Sequence, residues 1–419
     1  MTDAGLLVHN IGELVTCSGS GPKRGAAMSD LGVIRGGAVL VEDGVIRAVG
    51  KTGEVRNPGV PELDAGGNAV LPGFVDAHTH FLFGGYREEE FAWRLAGESY
   101  LDILKKGGGI LSTVRATRAC SRRRLEQEGK RRLDGMLSFG VTTVEGKSGY
   151  GLDHDTEIRQ LETMKALDEI HPVDIVPTYL GAHAVPEEYR GRGDEYIDFI
   201  LNEVLPEVAE KNLSRFCDVF CEKDVFSIQQ SRRLLLGAKK LGLGVKIHAD
   251  EIHDTGGARL AAQVGAISAD HLLHASDRGI DEMAKAGTTA VLLPCTAFCL
   301  GEPYARAREM IDRGIAVALA TDMNPGSCFS GSIPLLFALG TMYMRMSAEE
   351  AVTACTINSA AALDRAESIG SIDVGKKADM VLLQYPSYRY LPYHTGESCV
   401  ERVIKNGKTV YDRFRSLVY

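Results

Sequence analysis

The stretch that decides the fold is Val70-Leu71-Pro72-Gly73-Phe74-Val75-Asp76-Ala77-His78-Thr79-His80, an apolar run that ends in two histidines. Side chains alternate between the two faces of an extended strand, so His78 and His80 project from one side and Thr79 from the other. Two imidazoles on one face form half of a catalytic metal site, which uses about three protein ligands and leaves a position for water. Such a pair also arises by chance or as two exposed polar residues, so the rest of the chain has to decide.

Length and composition indicate a large soluble protein. The 419 residues are enough for one large catalytic domain and a smaller one, and 44% hydrophobic and 25% charged residues are ordinary globular values. The net charge of -9 argues against a protein that binds nucleic acid or acidic membranes through a basic field. The basic cluster from Arg115 to Arg132 contains leucines at helical spacing, which predicts a solvated helix face rather than a partner site.

Cysteine usage points to a reducing compartment. The nine cysteines are an odd number and are scattered through the chain. The pairs Cys217/Cys221 and Cys295/Cys299 lie in or just after apolar runs, so we expect small buried side chains there rather than metal ligands. With neither a signal peptide nor a membrane-length apolar run in evidence, we expect a cytoplasmic protein without a membrane partner.

Both ends of the chain have β character. Near the start, residues 37–41 and 45–49 flank the turn Glu42-Asp43-Gly44, and near the end residues 403–411 form a hairpin with an Asn-Gly turn. A lone hairpin cannot bury enough apolar surface to be stable. We therefore expect one small β-sandwich domain built from residues 1–70 and 363–419, beside a catalytic domain of residues 71–362.

The middle of the chain alternates between strand and helix patterns. After the strand ending at His80, strand-like runs begin near residues 140, 174, 217, 244, 267, 290 and 316, and helical patterns cover residues 155–170, 194–211, 228–241 and 302–313. Eight such repeats predict the α/β class and a (β/α)₈ barrel, the TIM-barrel architecture. A doubly wound open sheet is the main alternative, but it would not explain why polar residues recur at the strand ends.

In a (β/α)₈ barrel the active site lies at the C-terminal ends of the strands. The polar residues at the eight predicted ends are, in strand order, His78 and His80, Lys147 and Tyr150, His183, Glu222, His248 and Glu251, His271, Thr296, and Asp322 with Asn324. Each of them alone has a structural explanation, such as a loop cap or a core histidine. Independent core packing, however, gives no reason for histidines to recur at one end of a barrel.

Several motifs carry a specific resemblance. The opening stretch, together with Gly370-Ser371-Ile372-Asp373-Val374-Gly375-Lys376-Lys377-Ala378-Asp379, resembles the metal-dependent amidohydrolase superfamily. Within it, residues 81–87 (FLFGGYR), 146–152 (GKSGYGL), 179–186 (YLGAHAVP) and 246–251 (KIHADE) resemble the imidazolonepropionase family. The resemblance runs through nearly the whole chain. It implies hydrolysis of the cyclic amide bond of 4-imidazolone-5-propanoate to N-formimidoyl-L-glutamate, a step of histidine degradation.

The resemblance also implies a metal site. One Zn or Fe ion per subunit would be held by His78, His80, His248 and Asp322, with water completing the shell. Many relatives use two metals bridged by a modified lysine. Because this family points to one metal, Lys147 is interpreted as a structural residue or one that supports a ligand from behind.

Substrate and proton-transfer residues follow from the same resemblance. The propionate arm calls for a bidentate cation, and Arg87 is the candidate, with an exposed loop arginine as the alternative. The other residues expected to contact substrate are Tyr150, His183, Glu251, Asn324, Gly326 and Ser327, with Tyr100 as a weaker candidate. For catalysis we expect His271 to stabilise the oxyanion, Asp322 to accept the proton of water and Glu251 to carry a proton to the leaving nitrogen.

Two other functions remain open from the sequence. An aminohydrolase that deaminates a guanine- or cytosine-like ring has the same architecture but no evident need for Arg87. A non-catalytic assembly protein of the same fold would have lost its metal ligands, yet every ligand position is filled. A homodimer is expected only because two-fold assemblies are common, and His/carboxylate sets accept both Zn and Fe.

Overall fold

The structure is a computed structural model that describes residues 5–98, 102–103 and 106–419, so Tyr100 lies outside the described part. Two β-sheets organise the described chain: an eight-stranded parallel sheet and a nine-stranded mixed sheet. None of the helices within these ranges is long and apolar enough to cross a membrane.

The mixed sheet joins the two ends of the chain. Its strands are β1 (Leu6–Val15), β2 (Val33–Glu42), β3 (Val45–Lys51), β4 (Glu62–Asp64), β5 (Val70–Pro72), β14 (Met380–Leu383), β15 (Val400–Lys405), β16 (Lys408–Asp412) and β17 (Ser416–Leu417). They lie in the order β17-β16-β15-β14-β5-β1-β2-β3, with β4 paired to β1. Val8, Ile11, Met380 and Ile404 share one buried apolar cluster, so strands from both ends enclose a common core. The prediction of a small β-domain built from both termini is confirmed.

The parallel sheet forms the predicted barrel. Its strands are β6 (Phe74–Asp76), β7 (Val141–Lys147), β8 (Asp174–Ala182), β9 (Phe216–Cys221), β10 (Gly244–Ala249), β11 (Ser268–His271), β12 (Thr289–Leu292) and β13 (Val317–Leu319), in chain order. Just beyond the last strand, Asp322 N–H donates to the His78 carbonyl at 3.0 Å and His80 N–H donates to the Met323 carbonyl at 2.9 Å. These bonds bring the first and last strands together at the C-terminal end of the barrel.

The α-helices fill the intervals between strands. They are α1 (Glu88–Leu95), α2 (Ile110–Arg118), α3 (Arg122–Ser138), α4 (His154–Ile170), α5 (Gly193–Phe199), α6 (Leu205–Glu210), α7 (Ile228–Lys240), α8 (Gly257–Val264), α9 (Asp277–Ala286), α10 (Pro294–Leu300), α11 (Ala307–Asp312), α12 (Ile333–Met342), α13 (Ala348–Ala354), α14 (Ile357–Ala362) and α15 (Tyr390–Tyr393). Short 3₁₀ helices span Gly25–Ser29 and Glu187–Tyr189, and a π-helical turn spans Ile200–Val204.

Two helix predictions differ from the structure. The pattern at residues 194–211 is interrupted by the π-helical turn between α5 and α6. The pattern at 302–313 is helical only from Ala307 onward. The sequence pattern also did not predict α10, which ends where Gly301 adopts a left-handed conformation (φ 71°).

The apolar run before the two histidines is divided between the two sheets. Val70–Pro72 pairs with β14 and β1 in the mixed sheet, whereas Phe74–Asp76 pairs with β7 in the barrel. Gly73 separates them, and a Cβ there would lie 2.3 Å from Thr142 Oγ1. The expected single strand is therefore two short ones, and the histidines follow the second.

The basic cluster lies on α2 and α3, and Ser121 caps the second helix by accepting from Arg124 N–H. Arg115 and Arg124 are exposed as predicted, but Arg132 is buried. Its Nη1 donates to the carbonyls of Phe81 and Phe83 at 2.9 and 3.1 Å. For Arg132 the prediction of a solvated face is wrong, because its cation satisfies carbonyls in the segment that leads from the barrel to Arg87.

Candidate metal and active site

Four predicted ligands converge at the C-terminal end of the barrel. Asp322 Oδ1 lies 3.5 Å from His78 Nε2 and 3.6 Å from His80 Nε2, and the Nε2 atoms of His80 and His248 are 3.4 Å apart. Ligand bonds of about 2.1 Å in tetrahedral geometry place neighbouring ligand atoms about 3.4 Å apart. The four side chains are buried, and these three distances suit ligand atoms that share one ion.

The chemistry of the donor set also fits a metal ion. His78 Nε2 is buried and has no hydrogen-bond partner among the described residues. Burial, reinforced by neighbouring positive charge, holds the pKa values of His78 and His80 well below their usual range. Both rings are therefore neutral near pH 7, and His78 Nε2 presents a lone pair toward Asp322.

Asp322 is held in a constrained position. Its φ of 54° lies in the left-handed region, which costs a non-glycine residue about 1–3 kcal/mol and is typical of functional sites. Thr296 Oγ1 donates to its Oδ2 at 2.6 Å, which leaves Oδ1 facing the histidines. Thr296, predicted only as a polar residue at a strand end, thus orients the carboxylate.

A set of charged residues lies behind the histidines. The sequence predicted a function for only one of them, Lys147, which was expected to be structural or to support a metal ligand. Asp270 Oδ2 accepts from His78 Nδ1 at 2.6 Å, and Asp218 Oδ2 lies 2.9 Å from His248 Nδ1. Lys147 Nζ contacts both of these oxygens. A signal was available, because Asp218 and Asp270 stand inside short barrel strands buried on both faces, where an unpaired charge is costly.

Glu251 and His271 face each other across the mouth of the barrel, with Glu251 Oε1 3.5 Å from His271 Nδ1. Burial, together with the negative charges of Asp322 and Glu222, raises the pKa of Glu251 to about 8. Its carboxyl group is therefore protonated near neutral pH and can donate a proton. His271 has a φ of 76°, so two of the three predicted catalytic residues sit in a left-handed conformation.

Tyr150 and His183 form an aromatic wall beside the ligands. The His183 ring stacks on His80 with centroids 4.9 Å apart, and the Tyr150 ring lies 5.4 Å from His183. His183 Nδ1 donates to the Gly149 carbonyl at 3.1 Å, and burial lowers its pKa to about 3. Glu157 supports this wall from α4, since it accepts hydrogen bonds from the N–H groups on either side of Tyr150.

Arg87 is oriented by a neighbouring carboxylate. Its Nε and Nη2 donate to Glu90 Oε2 and Oε1 at 2.9 and 2.5 Å. Glu90 is buried and also accepts from Arg94 Nη2 and Gly109 N–H. The Nε/Nη2 edge of the guanidinium is thus occupied, and the Nη1 end lies against Gly326, where a Cβ would be 2.1 Å from Nη1. Any bidentate grip on an anion would use the Nη1/Nη2 end.

The loop from Asn324 to Ser327 is closed by its own amide. Asn324 Oδ1 accepts from Gly326 N–H and Ser327 N–H at 2.9 and 2.8 Å, and its Nδ2 donates to the Asp322 carbonyl. The backbone N–H groups of Gly326 and Ser327 are therefore satisfied within the loop. The loop packs against Arg87 and follows directly on Asp322.

Glu222 plays a different part from the other residues at the strand ends. Its carboxylate accepts from Ile252 N–H and lies 2.9 Å from His253 Nδ1, so it holds the segment after β10. Of the two cysteine pairs, Cys217, Cys221 and Cys295 are buried and Cys299 is half-buried. No cysteine belongs to a possible metal-binding group in the described part of the chain.

Comparison with known proteins places this geometry in a family context. Residues 69–410 match the model of the Amidohydrolase family. The chain is 58% identical to imidazolonepropionase of Clostridium tetani over 99% of this chain and 100% of that one. It is also 58% identical to imidazolonepropionase of Parabacteroides distasonis over 97% of this chain and 99% of that one.

Solved structures show a similar fold at low identity. An adenosine deaminase from Xanthomonas campestris with bound Zn superposes with a TM-score of 0.73 at 20% identity, over 99% of this chain and 94% of that one. A triazine hydrolase variant superposes with a TM-score of 0.71 at 17% identity, over 99% and 96% of the two chains.

Proposed function

This chain belongs to the imidazolonepropionase family of amidohydrolases, and we propose that the residues at the mouth of its barrel carry out the family's reaction. The chain is a hydrolase of histidine degradation that opens the ring of 4-imidazolone-5-propanoate to N-formimidoyl-L-glutamate by cleaving a C–N bond. The observation that carries the assignment is 58% identity to a curated imidazolonepropionase over essentially both full lengths. The deaminase-like neighbours are too distant in sequence to support the alternative activity, because their likeness shows the fold alone.

His78, His80, His248 and Asp322 are the proposed ligands of one metal ion. Three contacts among them support that set, namely Asp322 with His78 and with His80, and His80 with His248, at 3.4–3.6 Å. When bound, such an ion acts as a Lewis acid that activates water near neutral pH and polarises the substrate carbonyl. We propose that the ion is Zn or Fe, since both accept this combination of imidazole and carboxylate ligands.

The catalytic roles are assigned to three residues. Asp322 is placed to orient the attacking water and to take its proton, because Oδ1 faces the ligand cluster while Thr296 holds Oδ2. Glu251, protonated near neutral pH, donates to the ring nitrogen when the C–N bond breaks. His271, beside Glu251, stabilises the negative charge that develops on the carbonyl oxygen.

The substrate's propionate arm is assigned to Arg87, whose Nη1 makes no bond to Glu90 and whose Nη2 has a second N–H besides the one that Glu90 accepts. Tyr150 and His183 would enclose the ring and the arm from the side of His80. Asn324, Gly326 and Ser327 would shape the opposite wall. The internal hydrogen bonds of this loop favour a role in positioning Arg87 over direct donation from its backbone.

The experiment that tests this function is turnover of freshly generated 4-imidazolone-5-propanoate, followed by the loss of its ultraviolet absorbance. A His80→Ala variant and a metal analysis of the same sample serve as controls. Turnover by the wild type and none by the variant is the expected result. Absence of turnover with metal bound would overturn the substrate, and faster turnover of a ring without the acid arm would favour the deaminase alternative.

We further propose that the enzyme works as a homodimer in the cytoplasm. All nine cysteines are free thiols, which suits a reducing compartment, and two-fold dimers are the commonest assemblies. Light scattering coupled to size-exclusion chromatography measures the mass directly, to be compared with 45.3 kDa for one chain.

A further inference from the structure

Five charged side chains lie beneath the proposed metal ligands, inside the barrel. They come from four of the barrel strands and are completely inaccessible to solvent: Glu145 and Lys147 on β7, Asp218 on β9, Lys246 on β10 and Asp270 on β11. Burying a charge is costly unless it is paired with good geometry, so three carboxylates and two ammonium groups at this depth require an explanation.

Lys147 occupies the centre of this group. Its Nζ lies 2.7 Å from Asp218 Oδ2 and 3.5 Å from Asp270 Oδ2, with Glu145 Oε2 at 3.0 Å. The same two aspartate oxygens contact the ligand histidines. Asp270 Oδ2 forms a hydrogen bond of 2.6 Å with His78 Nδ1, and Asp218 Oδ2 lies 2.9 Å from His248 Nδ1 as an ion-pair contact. One ammonium group thus connects two imidazoles through two carboxylates.

The other oxygen of each aspartate is fixed as well. Asp218 Oδ1 accepts from Val219 N–H at 2.7 Å and from His248 N–H at 3.2 Å. Asp270 Oδ1 accepts from Ser268 Oγ at 2.6 Å. Neither carboxylate can rotate without losing these bonds. The direction of each Oδ2 atom therefore depends on the hydrogen bonds to Oδ1 and on the contact of Oδ2 with Lys147.

We propose that Lys147 is a positioning residue for metal binding: it holds Asp218 and Asp270 so that their Oδ2 atoms face Nδ1 of His248 and His78. Each Nδ1 then carries the proton, and Nε2 of both rings presents its lone pair to the ion. The inference rests on the proposed ligand set. It adds that the two histidines are oriented jointly by one lysine rather than separately.

Lys246 provides a matched control. It is equally buried and also pairs with Glu145, at 2.8 Å, but its other close contact is the Ala77 carbonyl at 3.2 Å. It lies 3.9 Å from Asp270 Oδ2, beyond hydrogen-bonding distance. Replacing Lys246 removes a buried cation from the same network without removing the bond to Asp218.

The test is the affinity of the full-length apoprotein for Zn²⁺, measured by competition with a chromophoric chelator, and the visible absorption spectrum of the Co²⁺-loaded protein. We expect Lys147→Met to lower the affinity about tenfold to a hundredfold, the usual cost of losing a group that orients a metal ligand, and to shift the Co²⁺ bands. Lys246→Met should stay within about threefold of wild type with an unchanged spectrum.

A thermodynamic cycle keeps the test decisive if Lys147→Met folds poorly. The double variant Lys147→Met/Asp218→Asn removes one positive and one negative charge together. If Lys147 acts through Asp218, the Zn²⁺ affinity of the double variant should be only slightly lower than that of Asp218→Asn alone. Wild-type affinity in Lys147→Met, equal losses in both lysine variants, or fully additive losses in the cycle would overturn the inference. A wild-type protein that binds no stoichiometric metal would instead overturn the ligand set on which it rests.

Discussion

The contact between Gly326 and Arg87 gives a quantitative prediction for Gly326→Ala. The added Cβ would lie 2.1 Å from Arg87 Nη1 and 2.7 Å from its Cζ, well inside van der Waals distance. The φ of Gly326 lies outside the left-handed region, so alanine fits the backbone and the clash falls on the arginine. Glu90 holds the Nε/Nη2 edge of the guanidinium. To avoid the clash, the guanidinium must either break its hydrogen bonds to Glu90 or move away from its proposed position for binding the propionate.

The expected loss follows from the hydrogen bonds at stake. A charge-assisted hydrogen bond contributes about 1.5–3 kcal/mol, so loss of one contact to the propionate should lower kcat/KM about 10- to 150-fold. The effect should fall mainly on KM, since the proposed contact of Arg87 is with the arm and not with the reacting carbon. The assay is the decay of substrate absorbance. Gly135→Ala is the control, since a Cβ there meets nothing within 4 Å.

The double variant Gly326→Ala/Arg87→Ala tests the cause. If the alanine acts only by displacing Arg87, it should cost less than about 0.5 kcal/mol once Arg87 is gone. Additive losses in this cycle, or a Gly326→Ala enzyme with wild-type KM, would refute the proposed role of Gly326.

Three further outcomes are expected. Glu90→Gln removes the charge that orients Arg87 and should raise KM with little change in kcat, while Glu89→Gln on the exposed side of α1 should change neither. Burial raises the pKa of Glu251 to about 8, so its acid form is lost as the pH rises through that value. In a plot of kcat/KM against pH, kcat/KM should therefore fall about tenfold per pH unit above the pKa, and Glu251→Gln should lack this decrease. Dialysis against a chelator should abolish activity and lower Tm, and one equivalent of Zn²⁺ or Fe²⁺ should restore both. The His80→Ala variant should show neither the decrease in Tm on dialysis nor the recovery on addition of metal.

Much of the fold could be predicted from the sequence, because short apolar runs alternate with helical patterns through the barrel. The helix at 155–170 begins one residue earlier than predicted, at His154, where Asp153 caps it. The division at Gly73 could not be predicted, because it depends on Thr142 and on strand β14, more than 300 residues away. The local apolar pattern is the same whether a run belongs to one sheet or to two.

The prediction of the site was strongest for residues that follow strand ends. The structure brings His78, His80, His248 and Asp322 together because parallel strands end on the same rim. Glu90 escaped prediction, since an acidic residue in the first turn of a helix is common for other reasons and its burial depends on tertiary packing. Sequence alone also gave no reason to expect that Asn324 would close its own loop.

The join at Gly73 has a consequence for the order in which the molecule is assembled during synthesis. Only Gly73 separates strand β5 from the barrel strand that leads to His78, and the neighbour of β5, β14, is Met380–Leu383. Domains generally form as the chain emerges from the ribosome, but this pairing must wait for more than 300 further residues. The first half of the proposed metal site to be translated is therefore among the last parts of the protein to gain its full support from the mixed sheet.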